Sequence, residues 1–336
     1  MLKTIQKIFF LGAFGLLISA TVSGSHSYRF RVYLKDKGNT GYSIDRPEEF
    51  LSKEALERRA QRKVAVTSSD IPISESYIDS LSSTGAEPVA QSKWMSTVVM
   101  NSPDSLVVDK LKALSFVDSV KWVWKGEADY PKNLEPDTSK FYPSDLPVAN
   151  YYGQADSQIS MLNGVKLHQA GFRGQGMHIA VIDAGFQNVN RISVFDSLRL
   201  LGTKNIVSPG QSVYESDDHG TKVLSCMAAN SPGVMVGTAP DASYWLIKSE
   251  DNRSEFPVEE DYWVAAVEFA DSVGVDVITS SLGYFMFDTE DSVYSQCALD
   301  GKTALISKAA SMAADKGILL FSSAGNEGAS SWGKIT

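Results

Sequence analysis

A chain of 336 residues is long enough for about two or three domains. Hydrophobic residues at 43% and charged residues at 21% provide for a buried core and exclude a wholly disordered chain. A formal net charge of -9 argues against nucleic acid as the main partner, because phosphate recognition needs a basic face.

In chain order, Lys3 and Lys7 precede an apolar stretch from Ile8 to Ala20, and small residues follow as far as Gly24. This is the pattern of a secretory signal peptide, and residues 1–24 are assigned to one. Cleavage is expected after Ala20 or near Gly24. The stretch is short for a bilayer span of about 20 residues, so no stable span is expected after cleavage; an uncleaved anchor is the other reading. The expected location is secreted, periplasmic or at the cell surface.

Residues 25–125 read as a small α+β domain. Phe30 to Leu34 alternates like a strand, and Phe50 to Val64 reads as a helix with Ser52 as N-cap. Glu54, Glu57, Arg58 and Arg59 of that helix are expected on its exposed side. Ser96 to Met100 is a second strand. Ser102-Pro103-Asp104 opens a helix carrying Leu106, Val107, Leu111 and Leu114, and Val117 to Trp124 is a third strand. Residues 126–160, with Pro131, Pro136, Pro143 and Pro147 among polar residues, read as a linker open to proteolysis.

Residues 161–336 alternate differently. Apolar strand-like runs at Met177–Ile182, Ser243–Ile247, Val275–Thr279 and Ile318–Phe321 are separated by helical patterns at His219–Ala229, Glu260–Val273 and Ala304–Lys316. Such an order predicts an α/β fold, a doubly wound parallel sheet covered on both faces, with function at the carboxyl ends of the strands.

Chemistry-bearing residues collect at those ends. Asp183 follows a strand and precedes Ala184-Gly185. His219 opens a helix in Asp218-His219-Gly220-Thr221. Ser281-Leu282-Gly283 follows a third strand, and Gly325-Asn326-Glu327-Gly328 a fourth. Alone, Asp183 is an ordinary turn acid, His219 an exposed helix-start histidine and Asn326 an ordinary turn residue. No His pair stands at HExxH spacing, so a zinc protease is not indicated. Gly171 to Gly176 is glycine-rich but precedes its strand, whereas a dinucleotide loop must follow one. Gly301-Lys302-Thr303 fails as a phosphate loop, because Gln296 stands where the first glycine belongs. The two cysteines, Cys226 and Cys297, form no metal or redox spacing; a disulfide and two free buried thiols are both open, and Cys226 is expected on the inner face of its helix.

Taken together, Asp183-Ala184-Gly185, His219-Gly220-Thr221, Ser281-Leu282-Gly283 and Gly325-Asn326-Glu327-Gly328 resemble, in order and placement, the subtilase family of serine proteases (peptidase family S8). Gly237-Thr238-Ala239-Pro240 is a fifth matching segment. The resemblance runs from about Leu162 to Gly328. The segment before the linker resembles a subtilase propeptide, and the whole is most similar to secreted subtilases of the Bacteroidetes type.

The resemblance implies hydrolysis of polypeptide substrates by an Asp-His-Ser triad. It implies His219 as general base, Asp183 as the acid that orients the imidazole, and Asn326 as oxyanion donor. Ser281, Leu282, Gly283 and Gly325 would bind the substrate backbone as an added strand. The implied partners are polypeptide substrates and the chain's own propeptide domain. No cofactor is expected; calcium is frequent in the family, but no acidic cluster in the sequence is specific enough to name ligands.

Two departures stand out. Ala184 replaces the family's hydroxyl residue, which removes one hydrogen bond to the acid. The family's nucleophile lies in Gly-Thr-Ser-x-Ala-x-Pro after the Asn, whereas the Gly-Thr pairs at Gly202, Gly220 and Gly237 are followed by Lys204, Lys222 and Ala239. The sequence to Thr336 is therefore expected to be truncated before the catalytic serine and inactive alone, with an exposed sheet edge and poor solubility. The alternative is an inert subtilase-like protein serving as a binding or inhibitory module.

Overall fold

The computed structural model describes residues 26–127, 150–289, 294–330 and 333. The expected signal peptide and most of the expected linker lie outside the described residues.

The first unit contains β1 (His26–Leu34), α1 (Lys53–Arg62), α2 (Glu75–Ser82), β2 (Glu87–Ser92), β3 (Thr97–Ser102), α3 (Val107–Lys112) and β4 (Val117–Glu127). Its strands pair antiparallel in the order β2-β3-β1-β4. Period-two alternation in β1 sends Phe30, Val32 and Leu34 to one face, where they pack with Leu81 of α2 and Val107 and Leu111 of α3. Arg29 and Arg31, from the alternate positions, point the other way and are nonetheless buried.

Ser52 caps α1 as expected, its hydroxyl accepting from the Ala55 N–H at 3.1 Å. The expected exposure of Arg58 and Arg59 is wrong: they are 3% and 2% exposed. Both reach the second unit, where Asp271 pairs with each of them. Two elements have no counterpart in the sequence reading. α2 is short and polar, and β2 carries Pro88, which only an edge strand tolerates.

The second unit begins with α4 (Asp156–Met161) and α5 (Gly164–Gln169), the former inside the expected linker. Then follow β5 (His178–Asp183), β6 (Arg199–Asn205), α6 (His219–Ala228), the two-residue hairpin strands β7 (Asn230–Ser231) and β8 (Met235–Val236), and β9 (Ser243–Lys248). α7 (Val258–Ser272), β10 (Val277–Ser280), α8 (Leu305–Asp315) and β11 (Leu319–Ser322) complete it. Five strands form a parallel sheet in the order β11-β10-β5-β9-β6. Alternate residues of β5 divide the core: Ile179 and Val181 meet α6, while Ala180 and Ile182 meet α7 and α8. Edge strand β6 escapes a sequence reading because it is largely exposed and broken by Gly202, which lies so close to the Trp245 ring that no side chain fits.

Among the described residues β11 is an edge strand, with Leu319 54% and Phe321 60% exposed. Cys226 and Cys297 are free and exposed, not buried. Cys226 stands two positions from the inward Leu224, about 200° around the helix, which turns it outward.

α7 is the contact between the units. Trp94, Val99, Val123 and Trp124 of the first share a core with Tyr262, Ala266 and Ala270 of α7. Arg31 forks onto Asp261 with both bonds at 2.6 Å. Glu268 accepts hydrogen bonds from the Ser92 hydroxyl and from the N–H groups of Lys93 at 2.8 Å and Trp94 at 3.1 Å. Asp70, from the loop after α1, meets Arg59 at 3.0 Å and Lys316 at 2.7 Å.

Candidate active site

β5 carries Asp183 at its carboxyl end, in the middle of the sheet. The side chain is fully buried, and its Oδ1 accepts the Ala184 N–H at 2.8 Å. α6 starts beside it. The Asp217 carboxylate accepts the His219 backbone N–H at 2.6 Å, which holds the first turn, and the His219 ring lies half-exposed. Its Nδ1 sits 2.7 Å from Asp183 Oδ1.

Gly220 makes this approach possible. A Cβ there would stand 2.4 Å from the Gly185 carbonyl and 2.9 Å from Asp183 Cβ, so only glycine lets the helix touch the end of β5. A buried acid on Nδ1 leaves Nε2, on the exposed side of the ring, to exchange a proton with a ligand. Burial pushes the Asp183 carboxyl up from its ordinary value, against the hydrogen bonds from His219 and Ala184, which pull it down. Its Oδ2 is buried without a hydrogen-bond partner among the described residues, in keeping with the hydroxyl lost at Ala184.

The imidazole opens onto a cleft of about 350 Å³ whose walls include Ser281, Gly283, Gly325 and Asn326. β10 and β11 deliver these loops by ending side by side, Ser280 opposite Ser322. Gly325 has φ +70°, a conformation that glycine adopts without strain, and Asn326 beside it is exposed. Leu282 is set apart from its neighbours. It lines a separate apolar pocket of about 520 Å³ with Trp263, Ile306 and Leu320, because successive side chains of an extended segment face opposite ways.

Phe285 and Ser323 also line the cleft and were not anticipated, their only signal being nearness to the matching segments; Glu327, within the last of those segments, lines it too. Glu250, after β9, is a further unanticipated neighbour. Burial raises its carboxyl, which the Tyr284 hydroxyl bonds at 2.8 Å. His168 is structural: it is nearly buried, with Nε2 on the Thr238 carbonyl at 2.9 Å. No group of three or more His, Cys, Asp or Glu among the described residues is placed to hold a metal ion.

Comparison with known proteins finds matches to both units. Residues 29–140 match the peptidase S8 propeptide domain of Bacteroidota, and residues 174–334 match the subtilase family. Subtilisin E of Bacillus subtilis is 31% identical over 203 residues, which cover 59% of this chain and 47% of that protein. Subtilisin of Bacillus pumilus is 30% identical over 175 residues, 51% of this chain and 55% of its own length. The chain thus spans about half the length of these curated relatives. Among solved structures, fervidolysin from Fervidobacterium pennivorans aligns over 91% of this chain and 40% of its own, with a TM-score of 0.51 and 16% identity. The epidermin leader peptide processing serine protease of Staphylococcus aureus aligns over 90% of this chain and 61% of its own, with a TM-score of 0.50 and 14% identity. These two likenesses concern the fold. The chain carries a domain of the subtilase family, peptidase S8, behind a Bacteroidota-type S8 propeptide domain.

Proposed function

We propose that the chain is the propeptide-bearing front part of an exported serine endopeptidase that cleaves polypeptides. The observation that carries this reading is the 2.7 Å contact between buried Asp183 and His219 Nδ1 at the mouth of a cleft shared with Asn326. In this reading His219 Nε2 takes the proton of a serine hydroxyl as it attacks the substrate carbonyl. It then hands that proton to the leaving amine. Asp183 fixes the imidazole tautomer and stabilises its cation. Asn326 donates to the oxyanion of the tetrahedral intermediate, and the backbone of Ser281, Gly283 and Gly325 pairs with the extended peptide.

The nucleophile lies outside these 336 residues, because none of their Gly-Thr pairs leads into a serine. Among the described residues the imidazole hydrogen-bonds only through Nδ1. The 336-residue chain alone would then be inert, and its tightly docked propeptide domain favours a second reading as a binding or inhibitory module.

Hydrolysis of a fluorogenic peptide library by the complete gene product, matured by propeptide removal, tests the proposal. Activity that falls by about 10⁴ in Asp183→Asn, and as steeply in His219→Ala, is expected. Unchanged activity in either variant, or no hydrolysis by the parent, contradicts it.

A further inference from the structure

The acidic first turn of α7 holds an arginine in a way that looks beyond the domain supplying it. Arg31 of β1 is 2% exposed and sends Nε and one terminal nitrogen onto the two oxygens of Asp261, both at 2.6 Å. The same terminal nitrogen donates to the Pro257 carbonyl at 2.9 Å and lies 3.8 Å from Glu260. Asp261 and Glu260 are 5% and 1% exposed. This is the planar fork-to-fork match that suits guanidinium and not ammonium.

The acceptors within 2.9 Å all belong to the subtilase domain, while the other terminal nitrogen donates to the Tyr33 hydroxyl of β1 itself at 3.3 Å. Two cations act on both carboxylates, Arg31 and Lys121, and both belong to the propeptide sheet. Withdrawal of that sheet would leave two adjacent carboxylates and a carbonyl, preshaped for a guanidinium and without a counter-charge from β1 or β4. Two close carboxylates and a carbonyl held by one helix turn attract a cation, and the fork geometry of Asp261 favours a guanidinium over an ammonium.

The notch is also joined to the cleft. The Tyr294 hydroxyl donates to both oxygens of Glu260, at 2.9 and 3.0 Å, and its backbone N–H bonds the carbonyl of Phe285 at 2.9 Å. Phe285 lines the cleft beside His219.

We propose that Asp261, Glu260 and the Pro257 carbonyl form a guanidinium-binding exosite, filled by Arg31 in the intact chain and open to an arginine of another polypeptide once the propeptide domain leaves. The proposal rests on the reading of residues 29–140 as a removable propeptide. An arginine-bearing substrate would gain a second point of attachment beyond the cleft, and the propeptide would compete for it.

The full chain with Arg31→Ala, which empties the notch, provides the test. Millimolar methylguanidinium should raise the melting temperature of this variant by several degrees, methylammonium should not, and neither should affect the parent. Adding Asp261→Asn should abolish the response. If Arg31→Ala does not fold unaided, refolding with methylguanidinium should recover soluble protein where methylammonium fails. A labelled peptide with a single arginine should bind the complete gene product, freed of its propeptide domain, at least tenfold more tightly than its citrulline twin. Equal effects of the two small cations overturn the exosite, and equal binding of the twin peptides overturns its polypeptide ligand. These readouts need no nucleophilic serine, so failure of the protease reading would leave them interpretable.

Discussion

At Asp183 one carboxylate oxygen serves His219, while the other, Oδ2, is buried without a partner among the described residues. A buried acceptor left unpaired costs about 1–3 kcal/mol. Restoring the family's hydroxyl with Ala184→Ser should therefore stabilise the chain by about 0.5–1.5 kcal/mol in urea unfolding; a loss of stability would show that the hydroxyl does not reach Oδ2. Gly220 makes a sharper prediction. Gly220→Ala puts a methyl group into the Gly185 carbonyl and Asp183 Cβ, so α6 must retreat and the Asp183–His219 bond must lengthen. In the complete gene product, kcat should fall by at least tenfold while the far-ultraviolet dichroism is unchanged; parental kcat would refute this packing role. The nearness of Asp183 to His219, and of His219 to Asn326 across one cleft, was legible because their order matches a family. The function of Gly220 was not, since a close approach is visible only once both elements are placed. Arg58 and Arg59 misled for a related reason: their carboxylate partner Asp271 lies far along the chain, and charge alone reads as exposure.

Helix α7 is the element on which both units depend. Its inner face fills the sheet core, and its other side receives the propeptide through Arg31, the α1 arginines and Glu268. Glu268 meets three donors, yet burial outweighs them and pushes its carboxyl from an ordinary 4.5 up to about 7. The sign follows from linkage. A carboxyl raised in the folded state contributes stability that is complete below about pH 4.5 and is lost as pH rises through about 7. Glu268→Gln should flatten that part of the decline in unfolding free energy between these pH values; an unchanged decline would place its origin elsewhere. The central strands and α6, α7 and α8 were legible from their apolar runs. β2, β6 and α2 were not, because edge strands and short polar helices owe their existence to neighbours and leave little periodicity in their own sequence.

For the molecule as a whole, one shared core joins the propeptide sheet to the subtilase sheet, so the two units are expected to unfold together. No helix among the described residues is long and apolar enough to cross a membrane. At the sheet edge, β11 presents Leu319 and Phe321 to solvent, while Leu320 between them lines the apolar pocket that holds Leu282. The curated family relatives extend over about twice the length of their matched segments. We propose for Asp183 and His219, 2.7 Å apart, the roles of acid and base in a serine protease whose nucleophile lies outside these 336 residues. Labelling with a fluorophosphonate tests them most directly, applied side by side to this chain and to the complete, matured gene product. A serine of the complete product should be labelled, that labelling should be lost in His219→Ala, and the 336-residue chain should stay unlabelled; labelling of this chain, or an unlabelled complete product, would refute these roles.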